Sequence, residues 1–329
     1  MLESLKALDQ IRLHFSQQGL LVLNIALAFI MFGVALGIKP VHFKRILHNP
    51  KTPLIGVFSQ FVALPAITFL VAWLFSPFIT PTVGLGMILV AACPGGNISN
   101  FISSLARANA ALSVTLTAIA TLLAIVMTPL NFAFWGRLFL DVYAHKVQAD
   151  ELLRPLTINP WQMFRTVVIL LGIPLVVGII VNRKMPRFTE RIYQPMKYLS
   201  IVFFLLIVAM AFKNNFEFFL KHIKYIFIIV LFHNALAYLT GYSLSSLFKR
   251  HPKDRKTIAI ETGIQNSGLG LVLLFNPKVF PPDMAVGGMA FIAAWWGIWH
   301  IISGLTLASI WGRGPKRRFR VKKNTVPSS

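Results

Sequence analysis

Long apolar runs divide this chain, separated by short polar and basic segments. A helix needs about 20 predominantly apolar residues to cross the hydrocarbon of a bilayer. Nine windows meet or approach that length: 20–38, 53–76, 83–106, 109–136, 161–182, 198–212, 225–248, 257–276 and 284–311. The third and eighth are interrupted by polar residues, and the sixth is short. Residues 1–19 instead alternate apolar and charged positions at helical spacing. They lack the basic start and small-residue cleavage site of a signal peptide, so they predict an amphipathic surface helix. The pattern as a whole predicts an all-α integral membrane protein.

Composition agrees. The chain is 56% hydrophobic and 13% charged, with a mean hydropathy of +0.69, whereas soluble domains carry about 25% charged residues. No polar stretch is long enough to form a separate soluble domain. The formal net charge of +22 would suit a nucleic-acid binder, but the excess sits in short segments between apolar runs, where Lys and Arg set membrane orientation. One alternating set of segments, made of 39–52, Arg107, 183–197, 249–256 and the tail 312–329, holds 22 of the 32 Lys and Arg. The other set holds nine, and Arg165 lies within a window. This asymmetry predicts an outside N-terminus and a basic cytoplasmic tail in a plasma membrane, most simply a bacterial inner membrane. Cys93 is the only cysteine, which rules out an internal disulfide and any cysteine-cluster metal site.

Nine of the ten carboxylates fall at the N-terminus or between windows; only Glu261 lies inside one. An ionisable group at membrane depth costs roughly 2.5–3.5 kcal/mol on insertion scales and marks a functional site by default. The bland alternative is a structural partner for a buried cation. Arg165 is the only such candidate, and it sits near a window end, where it can snorkel.

Glu261 belongs to IETGIQNSG (260–268), which breaks the eighth window; CPGGNISN (93–100) breaks the third. Pro94 cannot donate a backbone hydrogen bond and disfavours helix at Cys93. Gly95 and Gly96 take conformations other residues resist. Unwinding frees carbonyls that can bind a cation and creates helix N-termini that can face an anion. Such backbone is tolerated at membrane depth only when buried in protein or lining a wet cavity. CPGGNISN alone could be a proline kink with polar helix contacts. Two breaks in windows of opposite direction, half a chain apart, point instead to an inverted-repeat secondary transporter with a midplane site. Asn97, Ser99, Asn100 and Glu261 supply the hard oxygen ligands that suit sodium.

These motifs resemble the bile acid:sodium symporter family. The close matches are CPGGNISNFISSLARANAALSVTLT (93–117), IETGIQNSGLG (260–270) and WHIISG (299–304), with softer likeness at 56–66 and 231–242. The resemblance implies two inverted repeats with the first helix of ten missing. It implies a core made of the windows within 53–136 and 225–311, whose two broken helices cross, and a panel made of 20–38, 161–182 and 198–212. It implies two sodium ions: one held by Ser99, Asn100, Ser113, Thr117 and Glu261, the other by Gln60, Glu261, Gln265 and the carbonyls of Thr262 and Ile264. The organic anion would meet Asn97, Asn266 and His300. Two positions depart from the family pattern: Asn97 replaces a small hydroxyl residue, and Ile301 stands where relatives often carry Asn.

The function expected is sodium-coupled import of an organic anion by alternating access, either bile-acid-like or a small carboxylate such as pantoate or pyruvate. An arsenite-type permease of related fold would also pair a span cysteine with a late glutamate, and a proton-coupled carrier would favour clustered acids. A membrane anion receptor would bind without transport, and would normally bring an output domain. No HExxH, GxSxG or intramembrane Asp pair suggests an enzyme. No obligatory protein partner is indicated.

Overall fold

The computed structural model describes residues 2, 5–6, 17–38, 50–147, 160–213, 216–281, 284 and 286–313. Most of the expected N-terminal surface helix and nearly all of the basic tail lie outside these residues. The described elements are helical: α1 (Gln17–Leu36), α2 (Lys51–Leu74), α3 (Pro81–Ala92), α4 (Ile98–Leu105), α5 (Ala110–Val147), α6 (Trp161–Lys184), α7 (Pro186–Lys213), α8 (Phe216–Leu247), α9 (Pro252–Gly263), α10 (Ser267–Leu274) and α11 (Gly287–Gly312). Among them α2, α5, α6, α8 and α11 are each long and apolar enough to cross a membrane, and Asn24–Leu36 and Pro81–Ala92 form shorter apolar helices.

The two interrupted windows are broken where the polar residues fall. The third divides into α3 and α4, and the eighth into α9 and α10. Cys93 is extended (φ −72°, ψ 157°), as the residue before a proline should be. Ile264, after Gly263, is likewise extended (φ −103°, ψ 100°).

Proline also shapes the unbroken helices. Both α2 and α6 contain a π-helical turn, at Ser59–Ala63 and Val168–Gly172. Each lies just ahead of a proline, Pro65 or Pro174. Proline removes the amide that would bond the carbonyl four residues back, and a π turn absorbs the mismatch. For Pro65 that carbonyl belongs to Phe61, and the Asn131 amide of α5 donates to it at 2.9 Å. Arg165, one turn before the second π segment, stands over the Trp161 ring at 5.7 Å.

Helix packing uses small residues, as expected where lipid supplies no hydrophobic contrast. A Cβ on Gly86 of α3 would come within 2.8 Å of the Met289 Cα on α11. One on Gly241 of α8 would come within 2.7 Å of the Ala259 Cα on α9. These contacts clamp α3 to α11 and α8 to α9, and α6 and α7 both pack on α1. The turn between α4 and α5, where Arg107 takes a positive φ of 52°, docks onto the start of α9. There Asn109 donates to Asp254 at 2.8 Å, and Thr257 donates to the Asn109 carbonyl at 3.1 Å.

Candidate functional site: a crossover of two broken helices

The two unwound segments run antiparallel and meet backbone to backbone. The Gly96 amide donates to the Ile264 carbonyl at 2.8 Å, and the Asn266 amide donates to the Pro94 carbonyl, also at 2.8 Å. This exchange satisfies backbone groups that unwinding would otherwise orphan in a dry interior. Close approach explains both glycines. A Cβ on Gly96 would stand 3.2 Å from the Gln265 carbonyl oxygen, and one on Gly95 would stand 2.9 Å from Glu261 Oε2.

Glu261, on the last turn of α9, is 4% exposed. Its Oε1 accepts hydrogen bonds from Ser99 at 2.6 Å and from Ser113. The Thr117 hydroxyl lies 3.2 Å from Oε1 and 3.1 Å from Oε2, and 3.3 Å from the Asn100 side-chain oxygen. Ser113 and Thr117, four residues apart on α5, share one face, and that face is turned to the break. All five residues expected around the first ion therefore come together in one cluster, buried except for the partly exposed Asn100.

The second group also lies beside Gly95. Gln60 donates to Gln265 Oε1 at 2.7 Å and to the Cys93 carbonyl at 3.1 Å. Gln265 donates to the Thr262 carbonyl at 2.7 Å. The Ile264 carbonyl accepts from Gly96, so one of its lone pairs is committed to the crossover. Gln60 Oε1 and Glu261 Oε2 both face Gly95, so the two groups lie on either flank of that glycine's open side. The donors are hydroxyls, amides, carbonyls and a single carboxylate, a set that suits a hard, weakly charged cation.

Beside the crossover lies a cavity of about 180 Å³ between α1 and the broken helices. Asn97, Asn266 and His300 all line it, as do both departure positions, since Ile301 lies in its wall. Asn97 and Asn266 precede α4 and α10, so two helix N-termini open on one space. Asn266 caps its own helix by accepting from the Leu269 amide at 3.1 Å. Asn97 makes no capping bond.

Two polar lining residues were not singled out from the sequence. The Ser267 hydroxyl is buried without a hydrogen-bond partner among the described residues, and its place directly after Asn266 is the signal that could have found it. Tyr193 reaches the cavity from α7, its phenol resting against Gly37; nothing local in the sequence marks it. Cys93 is fully buried and is not among the lining residues. Its sulfur packs near Gly270.

Comparison with known proteins bears on this site. The family model described as Sodium Bile acid symporter family matches residues 24–222, more than half of the chain. A Bacillus subtilis (strain 168) protein named "Uncharacterized sodium-dependent transporter YocS" is 32% identical over 296 residues, covering 90% of this chain and 84% of its own. A rice protein (Oryza sativa subsp. japonica) named "Probable sodium/metabolite cotransporter BASS2, chloroplastic" is 30% identical, covering 83% of this chain and 63% of its own. The "P3 protein" of Bos taurus is 29% identical, covering 79% of this chain and 52% of its own.

Proposed function

Since the chain belongs to the sodium bile acid symporter family, whose members are sodium-dependent membrane transporters and not enzymes, we propose that it imports a small organic anion with two sodium ions by alternating access. The observation that carries this reading is the buried Glu261 carboxylate, held by Ser99, Ser113 and Thr117 with the Gln60–Gln265 pair facing the same glycine, at a crossover whose two helix N-termini open on one cavity. One ion is bound by Ser99, Asn100, Ser113, Thr117 and Glu261. The other is bound by Gln60, Glu261, Gln265 and the carbonyls of Thr262 and Ile264. Each ion lets the hydroxyls and amides around it turn lone pairs inward, and two positive charges offset the single carboxylate. The crossover is ordered as a result, and it holds Asn97, Asn266 and Ser267 toward the cavity. The anion is drawn there by two helix N-termini and by the positive ions behind them.

Alternating access follows from moving one group of helices against another. In this reading the windows within 53–136 and 225–311 are the core, and those at 20–38, 161–182 and 198–212 are the panel. These make nine spans in inverted repeats, with the N-terminus outside and the C-terminus cytoplasmic. The cavity favours a small carboxylate such as pantoate or pyruvate over a bile acid: drug-sized ligands occupy pockets of about 300–1,000 Å³, and about 180 Å³ is available here. Ile301 gives the cavity an apolar wall, suited to a short aliphatic body behind the carboxylate. The arsenite reading is disfavoured by the burial of Cys93 away from the cavity.

The test is thermal unfolding of the purified protein in NaCl and in KCl at equal ionic strength. A ligand that binds only the folded state stabilises it by about 2.7 kcal/mol at a hundred times its Kd. Wild type should show a sodium-specific rise in Tm that Glu261→Ala loses. Equal Tm in the two salts would refute sodium binding. Proteoliposomes with an inward sodium gradient then read the substrate: pantoate or pyruvate should accumulate and a bile acid should not.

A further inference from the structure

A second and larger concavity, about 560 Å³, lies between α8 and α11 and shares no lining residue with the cavity at the crossover. Its walls are apolar and face outward: Leu239 is 59% exposed and Ile310 is 60% exposed. It runs along α8 from Leu231 to Tyr242 and along α11 from Trp299 to Trp311. At 1.5 Å per residue these stretches are roughly 17 and 18 Å long. Half of a bilayer's hydrocarbon thickness is about 15 Å, so the groove has the reach of one acyl chain in one leaflet.

Its two ends differ. Trp311 and Tyr242 pair at one end, ring centroids 6.0 Å apart. Lys256 of α9 stands over the Trp311 ring at 5.7 Å and donates to the Trp311 carbonyl at 3.1 Å. The adjoining α8–α9 turn adds Lys249 and Arg250, and the first turn of α9 adds Lys253 and Arg255. Lys256, Arg250 and Arg255 spend their hydrogen bonds on backbone carbonyls. The one acid there, Asp254, accepts from Asn109. An apolar groove of leaflet depth thus ends at an aromatic pair beneath a cluster of cations.

We propose that this groove binds an anionic phospholipid, with one acyl chain laid between α8 and α11 and the headgroup phosphate against Lys256. Its floor is the back of the crossover. Asn234 donates to the Gly263 carbonyl at 2.7 Å and accepts from Ser303 at 2.6 Å, and the Tyr238 hydroxyl lies 3.3 Å from Ser303. A chain seated in the groove therefore touches the side chains that brace the end of α9, one residue pair beyond Glu261.

Native mass spectrometry of the delipidated protein tests this, with dioleoylphosphatidylglycerol and dioleoylphosphatidylcholine added at equal concentration. Wild type should retain the glycerol lipid preferentially. Lys256→Gln should weaken that adduct about fivefold, the usual worth of one basic residue beside anionic lipid. Ala235→Trp should block the groove and lose the adduct while keeping every charge. Leu239→Trp should do the same from a well-exposed position, so that misfolding of one variant does not decide the matter. Leu70→Trp, 52% exposed on α2, should bind as wild type does. Equal retention of the two lipids by wild type overturns the proposal. So does wild-type glycerol-lipid binding in both groove-filling variants, which would leave the headgroup on surface cations alone.

Discussion

Glu261 was legible in the sequence because charge is rare at membrane depth; among the ten carboxylates it alone falls in an apolar window. Ser99 and Asn100 were legible as part of the same break pattern. Ser113 and Thr117 were not, since hydroxyls on a membrane helix read equally as packing contacts; only the family resemblance raised them. Gln60 was hidden for a more specific reason. It sits in a π turn whose effect on side-chain direction no 3.6-residue pattern predicts. The sharpest test at this scale is Gly95→Ala. The added methyl would stand 2.9 Å from Glu261 Oε2 and 3.7 Å from Gln60 Oε1, between the two oxygen groups. It must displace the carboxylate, because the backbone on its other side is pinned by the crossover hydrogen bonds. The variant should fold, since the paired amides and carbonyls are untouched. Its Tm in NaCl should fall to that in KCl, as for Glu261→Ala. A wild-type sodium shift in Gly95→Ala would mean that the ion sits elsewhere.

At the scale of elements, the breaks were read correctly because proline and glycine act locally. Helix ends were read less well. The window 109–136 stops short of α5, which continues to Val147, and 198–212 is much shorter than α7, which starts at Pro186. Arg137 and Asp141 on α5, and Arg187, Glu190 and Arg191 on α7, end the apolar run without ending the helix. Hydropathy measures contact with lipid, whereas a helix persists as long as its backbone bonds do. The half-helix α10 offers a test of cap and site together. Asn266 both caps α10 and lines the cavity. Asn266→Ala should cost about 1 kcal/mol, as loss of an N-cap does, seen as a lower Tm in KCl, where sodium binding does not contribute. If the amide also meets the anion, the KM for the transported carboxylate should rise while the sodium-induced Tm shift is kept. A loss of sodium response instead would tie the cap to the cation sites through the Asn266–Pro94 backbone bond.

For the molecule as a whole, sodium and anion never need to touch for transport to be coupled. In the proposed mechanism both act on the crossover: the ions from the Glu261 side, the anion from the cavity lined by Asn97, Asn266 and Ser267. Each ligand then favours the arrangement the other binds, and thermodynamic linkage makes the effect reciprocal. Coupling free energies of about 1–3 kcal/mol correspond to roughly 5–150-fold in affinity. The Kd of the carboxylate that accumulates in proteoliposomes should therefore fall by some factor in that range between sodium-free and sodium-saturated protein. The product of the two sodium dissociation constants should fall by the same factor between anion-free and anion-saturated protein. Calorimetric titration of each ligand in the presence and absence of the other measures both. Anion affinity that is indifferent to sodium would mean that the cations only stabilise the fold. Equal and large factors would make the crossover the shared element, since the backbone-paired segments 94–96 and 264–266 are what the oxygen clusters and the cavity have in common.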